Sequence, residues 1–242
     1  MRVLFPDPLH DPMPAAVLIN TSGGLVGGDA VAIDIDAGPA AAARVTSQAA
    51  ERVYRSAGPT VSIAARLAVG DGAWLEWLPN ETILFDNARL ARRLAIDLAD
   101  GARCLAAEMT VFGRVARGER FARGALRERW EVRRAGRLRW ADALRLDGDA
   151  AATIDHPAGF GGAAAHAIVV CAGPGAAAAL PALRAICTGD HPFAVTAIGD
   201  VLVMRGLARD PAALRAANAG VVATARAAFG GWPASVPPSW TF

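Results

Sequence analysis

The sequence contains no lysine, and all 25 of its basic residues are arginine. Lysine chemistry is therefore excluded, both the Schiff base and the phosphate-gripping lysine of a P-loop. Cysteine is scarce, with 3 residues at positions 104, 171 and 187. That odd number, without metal-ligand spacing, reads as buried free thiols in a reducing compartment, and the expected location is cytoplasmic. Histidine is equally sparse, and His10, His156, His166 and His191 form no HxH or HxxxH pair. With no CxxC either, the ligand set of a closed zinc site is missing. No GxSxG nucleophile elbow is present. No apolar run approaches the ~18 residues that span a bilayer, and residues 1–11 lack the apolar centre of a signal peptide.

Charge of one overall sign is also nearly absent. The 25 arginines face 23 acids, for a net charge of +2, too little to imply nucleic acid or membrane. The balance is uneven along the chain, about −5 over 1–88, +8 over 89–145 and −1 over 146–242. No Pro/Ser-rich linker separates these stretches, so the 242 residues read as a single domain with a basic face, and 53% hydrophobic residues suffice for a core.

Period-two alternation dominates the first two thirds. Val31, Ile33 and Ile35 alternate with Ala32, Asp34 and Asp36; Val61, Ile63, Ala65, Leu67 and Val69 form a second series. Leu126, Glu128, Trp130 and Val132 form a third, and Leu138, Trp140, Leu144 and Leu146 a fourth. Such runs are half-buried strands. Between them stand turn signals such as Ala37-Gly38-Pro39, Gly70-Asp71-Gly72 and Ala135-Gly136. The expected fold is mainly β, a rolled two-layer antiparallel structure, with two α-helices in the C-terminal third. The first helix is expected over 176–186. The second is expected over 211–229, opened by Asp210-Pro211 and closed by Gly230-Gly231. Strands 193–198 and 201–204 form a hairpin around Gly199-Asp200, and the tail from Trp232 is expected to lie pinned against the body.

Four segments stand out chemically. Ser22-Gly23-Gly24-Leu25-Val26-Gly27-Gly28-Asp29 lacks the spacing and following helix of a dinucleotide loop, so it reads as a bend with positive-φ glycines. Asp29 is then a turn carboxylate. Arg52-Val53-Tyr54-Arg55-Ser56 carries the only tyrosine and reads as a solvated edge strand. The run Leu75 to Asp86 is apolar on both faces, so Glu81 and Asp86 need partners. Arg89, Arg92 and Arg93 are the natural ones, and a carboxylate acid/base pair is the alternative. In the fourth, Glu108 and Glu119 lie among Arg114, Arg117, Arg120 and Arg123, with Phe121 the one aromatic in the arginine run. That is too few rings for a single-strand nucleic-acid platform.

Taken together, these segments resemble the urease accessory protein UreD (UreH) family. The resemblance rests on the Gly-Gly bend, Gln48 to Ser56, Leu78-Pro79-Asn80-Glu81-Thr82-Ile83-Leu84-Phe85-Asp86 and Phe112-Gly113-Arg114-Val115-Ala116-Arg117-Gly118-Glu119 standing in order. Arg134-Ala135-Gly136-Arg137-Leu138 and the segment 141–146 add to it. The resemblance implies a β-helix-like roll and a non-enzymatic maturation factor. Such a factor joins partner proteins F and G, the latter a GTPase, docks on apo-urease and helps nickel reach the active site through an internal polar tunnel. It implies no tightly bound cofactor, only transient nickel, and neither nucleic acid nor membrane as partner. A conduit must hold its ion weakly, which suits carboxylates and water better than a Cys/His cage. The expected route residues are Asp29 and Glu81 first, then Asp86, Glu108 and Glu119. Gly23, Gly24, Gly27, Gly28, Arg52, Tyr54, Arg55 and Arg114 are expected to serve structure or partners. A scaffold without a metal role, a carboxylate enzyme using Glu81 and Asp86, and a nucleic-acid binder using 89–145 stand as alternatives.

Overall fold

A computed structural model of the chain describes residues 1–7 and 13–240; His10 and the last two tail residues lie outside them. In chain order the strands are β1 (Arg2–Leu4), β2 (Ala15–Ile19), β3 (Ala30–Ala37), β4 (Ala42–Ser47) and β5 (Glu51–Val53). Next come β6 (Val61–Val69), β7 (Trp74–Leu78), β8 (Thr82–Leu84), β9 (Arg89–Leu98) and β10 (Arg103–Phe112). The hairpin β11 (Arg123–Arg134) and β12 (Arg137–Asp149) leads through α1 (Ala150–Asp155) to β13 (Ala165–Ala172) and α2 (Leu180–Ile186). A second hairpin, β14 (Phe193–Ile198) and β15 (Val201–Ala208), precedes α3 (Pro211–Ala225).

These strands form two sheets. One runs β12-β11-β9-β6-β3; the other runs β1-β2-β4-β7-β10-β13-β15-β14, with β8 on β10 and β5 on β8. The chain crosses from the first sheet to the second between β3 and β4, β6 and β7, and β9 and β10, and returns after β5 and β8, so β3–β4–β5, β6–β7–β8 and β9–β10 are successive coils of a β-solenoid. The mainly-β, rolled two-layer expectation holds. Strand direction is the exception: β3, β6, β9 and β11 pair in parallel, as do β2, β4, β7 and β10. Antiparallel pairing is confined to β1·β2, β11·β12 and the β10·β13·β15·β14 stretch. The physical reason is the winding. Neighbours within a sheet come from successive coils running the same way, and period-two alternation carries no information on direction.

The alternation sorts side chains between the sheets. On β9, Leu90, Arg92, Leu94, Ile96 and Leu98 are buried while Arg93 is exposed. The inter-sheet space holds two apolar clusters. One gathers Leu67, Leu75, Trp77, Leu94, Ile96, Trp130 and Ile168; the other gathers Val53, Leu84, Leu90, Phe112, Phe121 and Leu126. Between them, five strands contribute six polar residues: Thr82, Arg92, Glu108 and Thr110 (both of β10), Glu128 and His166. A charged seam thus crosses the interior perpendicular to the strands.

The other face of the second sheet is covered by the C-terminal elements. Leu105, Ala107, Met109, Val169 and Met204 pack there with Leu183, Leu214, Val221, Val222 and Phe229. Asp210 caps α3 by accepting the Ala212 N–H at 2.9 Å, with Pro211 in the first turn. Beyond Ala225 the helix widens into a π-turn, Arg226–Gly230, that ends at Gly231 with φ 72°. The helix expected over 176–186 is a 3-10 turn, Ala176–Ala179, followed by α2. The short α1 was not anticipated; Asp149 caps it through the Ala152 N–H at 3.1 Å. The tail is held by Arg226, which donates to Ser235 Oγ at 2.7 Å and to the Pro233 carbonyl, and by buried Trp240.

Gly124 is required where β9 and β11 converge. Its φ is 136°, and an added Cβ would overlap the Ala88 carbonyl oxygen and lie 2.6 Å from the Phe121 ring. Gly124→Ala is expected to destabilise by about 2–4 kcal/mol. A thermal melt within a degree of the wild type would contradict this.

Candidate functional site

The four segments singled out in the sequence meet at one rim of the solenoid, stacked in their order along the chain. Leu25 bridges Val53 in parallel, and Gly24 passes so close to the next coil that a Cβ would sit 2.5 Å from the Tyr54 ring. Tyr54 donates its hydroxyl to the Gly23 carbonyl at 3.0 Å and meets Phe85 edge-on at 4.8 Å. The Arg114 guanidinium lies over Phe85 at 4.5 Å and pairs with Glu119. Gly27 gives room to Ser56, and Gly28 has a φ of 97°. The glycines are therefore close-approach and turn positions of successive coils.

Most of the expected carboxylates have local partners. Asp29 Oδ2 accepts the Val26 N–H at 2.9 Å, closing the bend. Asp86 Oδ1 accepts the N–H groups of Ala122 and Arg123, both at 2.9 Å. Glu119 pairs with Arg114 at the surface and accepts the Asp86 N–H at 3.2 Å. Glu81 pairs with Arg215 of α3, on the helical side of its sheet. The expected partners of Glu81 and Asp86 are thus corrected. Arg92 and Arg93 turn to Glu108, Glu128 and Glu131 instead, because alternation on β9 points one into the roll and the other out of it. Arg52 and Arg55 are exposed.

Glu108 is the expected residue that lies in the interior seam. Its Oε1 accepts the Trp77 indole N–H at 3.0 Å, and its Oε2 stands 3.1 Å from Arg92 Nε. That contact is an ion pair without hydrogen-bond alignment, so Glu108 Oε2 is buried with no hydrogen bond. Arg92 also donates to Thr82 Oγ1 at 2.9 Å, to Thr110 Oγ1 at 2.8 Å and to Glu128. Glu128 Oε2 lies 3.0 Å from His166 Nε2. Burial pushes the Glu108 carboxyl up, Arg92 opposes this, and the Glu128 charge adds to the rise. Burial acts on Glu128 as well, but Arg92 and His166 outweigh it and hold the group down at about 2. The difference follows from the contacts: Glu128 has Arg92, Thr110 and His166 about it, Glu108 only Arg92 and Trp77.

Two cavities end on this seam. One, of about 200 Å³, is lined by Asn20, Glu51, Arg52, Trp77, Arg92 and Glu108. The other, of about 230 Å³, is lined by Trp130, Asp142, Phe160, His166, Arg205 and Glu128. Glu51 holds two hydrogen bonds from Asn20 Nδ2, at 2.9 and 3.0 Å, and burial raises its carboxyl despite them. Sequence reasoning missed Glu51, Glu128 and His166 as site residues. The signal for Glu128 was its place in an apolar alternation. Among the described residues no three His, Cys, Asp or Glu side chains form a metal-ligand group, and no helix is long and apolar enough to cross a membrane.

Fold and interior together define a two-sheet β-solenoid with a helical back layer and a charged seam between two cavities. A family model described as "UreD urease accessory protein" matches residues 1–241, and the chain belongs to that family. Urease accessory protein UreD of Magnetococcus marinus is 43% identical over 251 residues, 99% of this chain and 85% of the relative. The Rhodopseudomonas palustris (strain HaA2) protein of that name is 43% identical over 217 residues, 89% of this chain and 77% of the relative. Urease accessory protein UreD 1 of Methylobacterium radiotolerans is 50% identical over 170 residues, which spans 70% of this chain but 59% of the relative's length.

Proposed function

We propose that the chain is a non-enzymatic urease maturation factor of the cytoplasm that carries nickel, as cargo, through its inter-sheet interior toward apo-urease. Partner proteins F and G, the latter a GTPase, bring the ion to it. The observation that carries this reading is Glu108 Oε2, a buried carboxylate oxygen without a hydrogen-bond donor, in the lining of a cavity that also reaches Glu51. Arg92 offsets the Glu108 charge without donating to this oxygen, so the oxygen keeps a lone pair for a further donor or a passing cation. The proposed path enters by Glu51, reaches Glu108, passes Arg92 and leaves by Glu128 and His166. Carboxylates, one imidazole and water bind nickel weakly enough to release it. Asp29, Asp86 and Glu119 serve turns and loops of the rim in this reading, and Glu81 serves the helix contact.

The test is urease activation in a reconstituted or cellular system with Glu108→Gln, which keeps the shape and the Trp77 hydrogen bond. Activation is expected to fall at least fivefold, while pull-down of F, G and apo-urease and the melting temperature stay at wild-type values. Full activation by this variant would remove Glu108 from the route. Loss of partners instead would favour a scaffold without a metal role.

A further inference from the structure

At the rim, outside the inter-sheet interior, lies a cleft of about 500 Å³ lined by Ser56, Asn87, Arg89, Arg123, Gly124 and Asp149. Its walls are fixed. Ser56 N–H donates to the Asn87 carbonyl at 3.0 Å, and Asn87 N–H donates to the Arg123 carbonyl at 2.9 Å. Asn87 sits in the left-handed region with φ 62°. Asp86 holds the Ala122 and Arg123 amides, and Gly124 admits the Ala88 carbonyl. The polar groups of the wall are occupied, since Ser56 Oγ accepts the Gly58 N–H at 3.1 Å and Asp149 caps α1.

Two groups are not occupied. Arg89 and Arg123 make no ion pair among the described residues, although Arg114, Arg120 and Arg127 nearby in the chain all have carboxylates. Arg89 Nε is also buried without a hydrogen bond. Against the one carboxylate of the lining, Asp149, which is turned to the Ala152 amide, two uncommitted guanidinium groups leave the cleft net positive and suited to an anion. A phosphate site is ordinarily completed by free backbone amides. Here the amides of Ser56, Gly58, Asn87, Ala88, Ala122 and Arg123 already donate within the chain. What remains matches the planar fork of a carboxylate. Arg55, bridged to Ala88 beside the cleft, is exposed and makes no ion pair among the described residues. The positive field therefore extends beyond the cleft and suits a chain of acids better than one small acid.

We propose that this cleft docks an acidic protein segment, gripping one of its carboxylates between Arg89 and Arg123. The proposal stands apart from the interior route and survives or fails without it. It is tested on the whole chain with a fluorescein-labelled hexaglutamate peptide followed by anisotropy at low and moderate salt. The wild type is expected to bind, and Arg89→Gln/Arg123→Gln to weaken binding at least tenfold. Arg137→Gln, which removes an exposed arginine from the distant hairpin turn, is expected to change it less than twofold. Both cleft arginines lack intramolecular ion pairs, so wild-type melting is expected. Should the double variant melt lower, Arg123→Gln alone carries the test with at least a threefold loss. Equal losses in the cleft and hairpin variants would reduce the binding to general charge and overturn the proposal. Displacement by inorganic phosphate at concentrations where acetate has no effect would also overturn it, in favour of a phosphoryl ligand.

Discussion

Glu76→Ala is expected to abolish soluble expression or to lower the melting temperature by more than about 10 °C. Glu76 is fully buried, and its Oε2 accepts from Arg44 Nε at 2.6 Å. Its Oε1 accepts from Arg226 Nε at 2.6 Å and from the Trp74 indole at 2.9 Å. Arg226 is itself fully buried and Arg44 nearly so. Removing the carboxylate takes from two buried guanidinium groups the acceptor that bridges them. Breaking a buried pair from one side costs about 3–5 kcal/mol, a large share of a typical stability of roughly 5–15 kcal/mol. The same change unlatches the C-terminal helix and the tail that Arg226 holds. Thermal melting and soluble yield check this, and a wild-type melt would show that the two arginines find other acceptors.

The second large effect separates the two seam carboxylates by sign. Glu128 is held at about 2 in the folded chain, against roughly 4.3 for an ordinary glutamate. The folded state therefore binds fewer protons at this group. Its contribution, about 3 kcal/mol, is complete above roughly pH 5 and is lost as the pH falls toward 2. Glu108 shifts upward through burial, so its charged form lowers stability as the pH rises past its unfolded value. Glu128→Gln is expected to lower the melting temperature at pH 7 by about 6–12 °C and to flatten the acid limb between pH 5 and 3. Glu108→Gln is expected to melt at or above the wild type at pH 7. Melts from pH 3 to 8 decide it. If Glu108→Gln melts as low as Glu128→Gln, both groups are simply counter-ions of Arg92.

The strands, their inward faces and the capped C-terminal helix were legible because each rests on a local pattern. Asp210-Pro211 marked the start of α3, and Gly199-Asp200 marked the β14·β15 turn where Ile198 faces Val201. Strand direction was not legible, since it depends on which coil each strand stacks upon. The seam was half legible. Arg92 and Arg93 look alike in the sequence, and only the phase of Leu90, Leu94 and Ile96 puts the first inside. Glu128 lies among arginines and reads as surface by composition, yet it shares a face with Leu126, Trp130 and Val132. Glu81 read as buried and was, but its partner Arg215 lies 134 residues away, beyond any local pattern. His166 carried no signal of its own until β13 was placed beside β10.

The latch between Glu76 and Arg226 joins residues 150 apart in the chain. At ribosomal speeds of roughly 5–20 residues per second, about 8–30 s separate the synthesis of the two halves of that contact. During that interval the coils β3 to β10 can wind and close their inter-sheet core from local neighbours. The back face of Leu105, Ala107 and Met109 stays bare until α3 arrives. A nascent chain of this protein thus carries an apolar sheet surface whose cover is complete only once α2 and then α3 have been made.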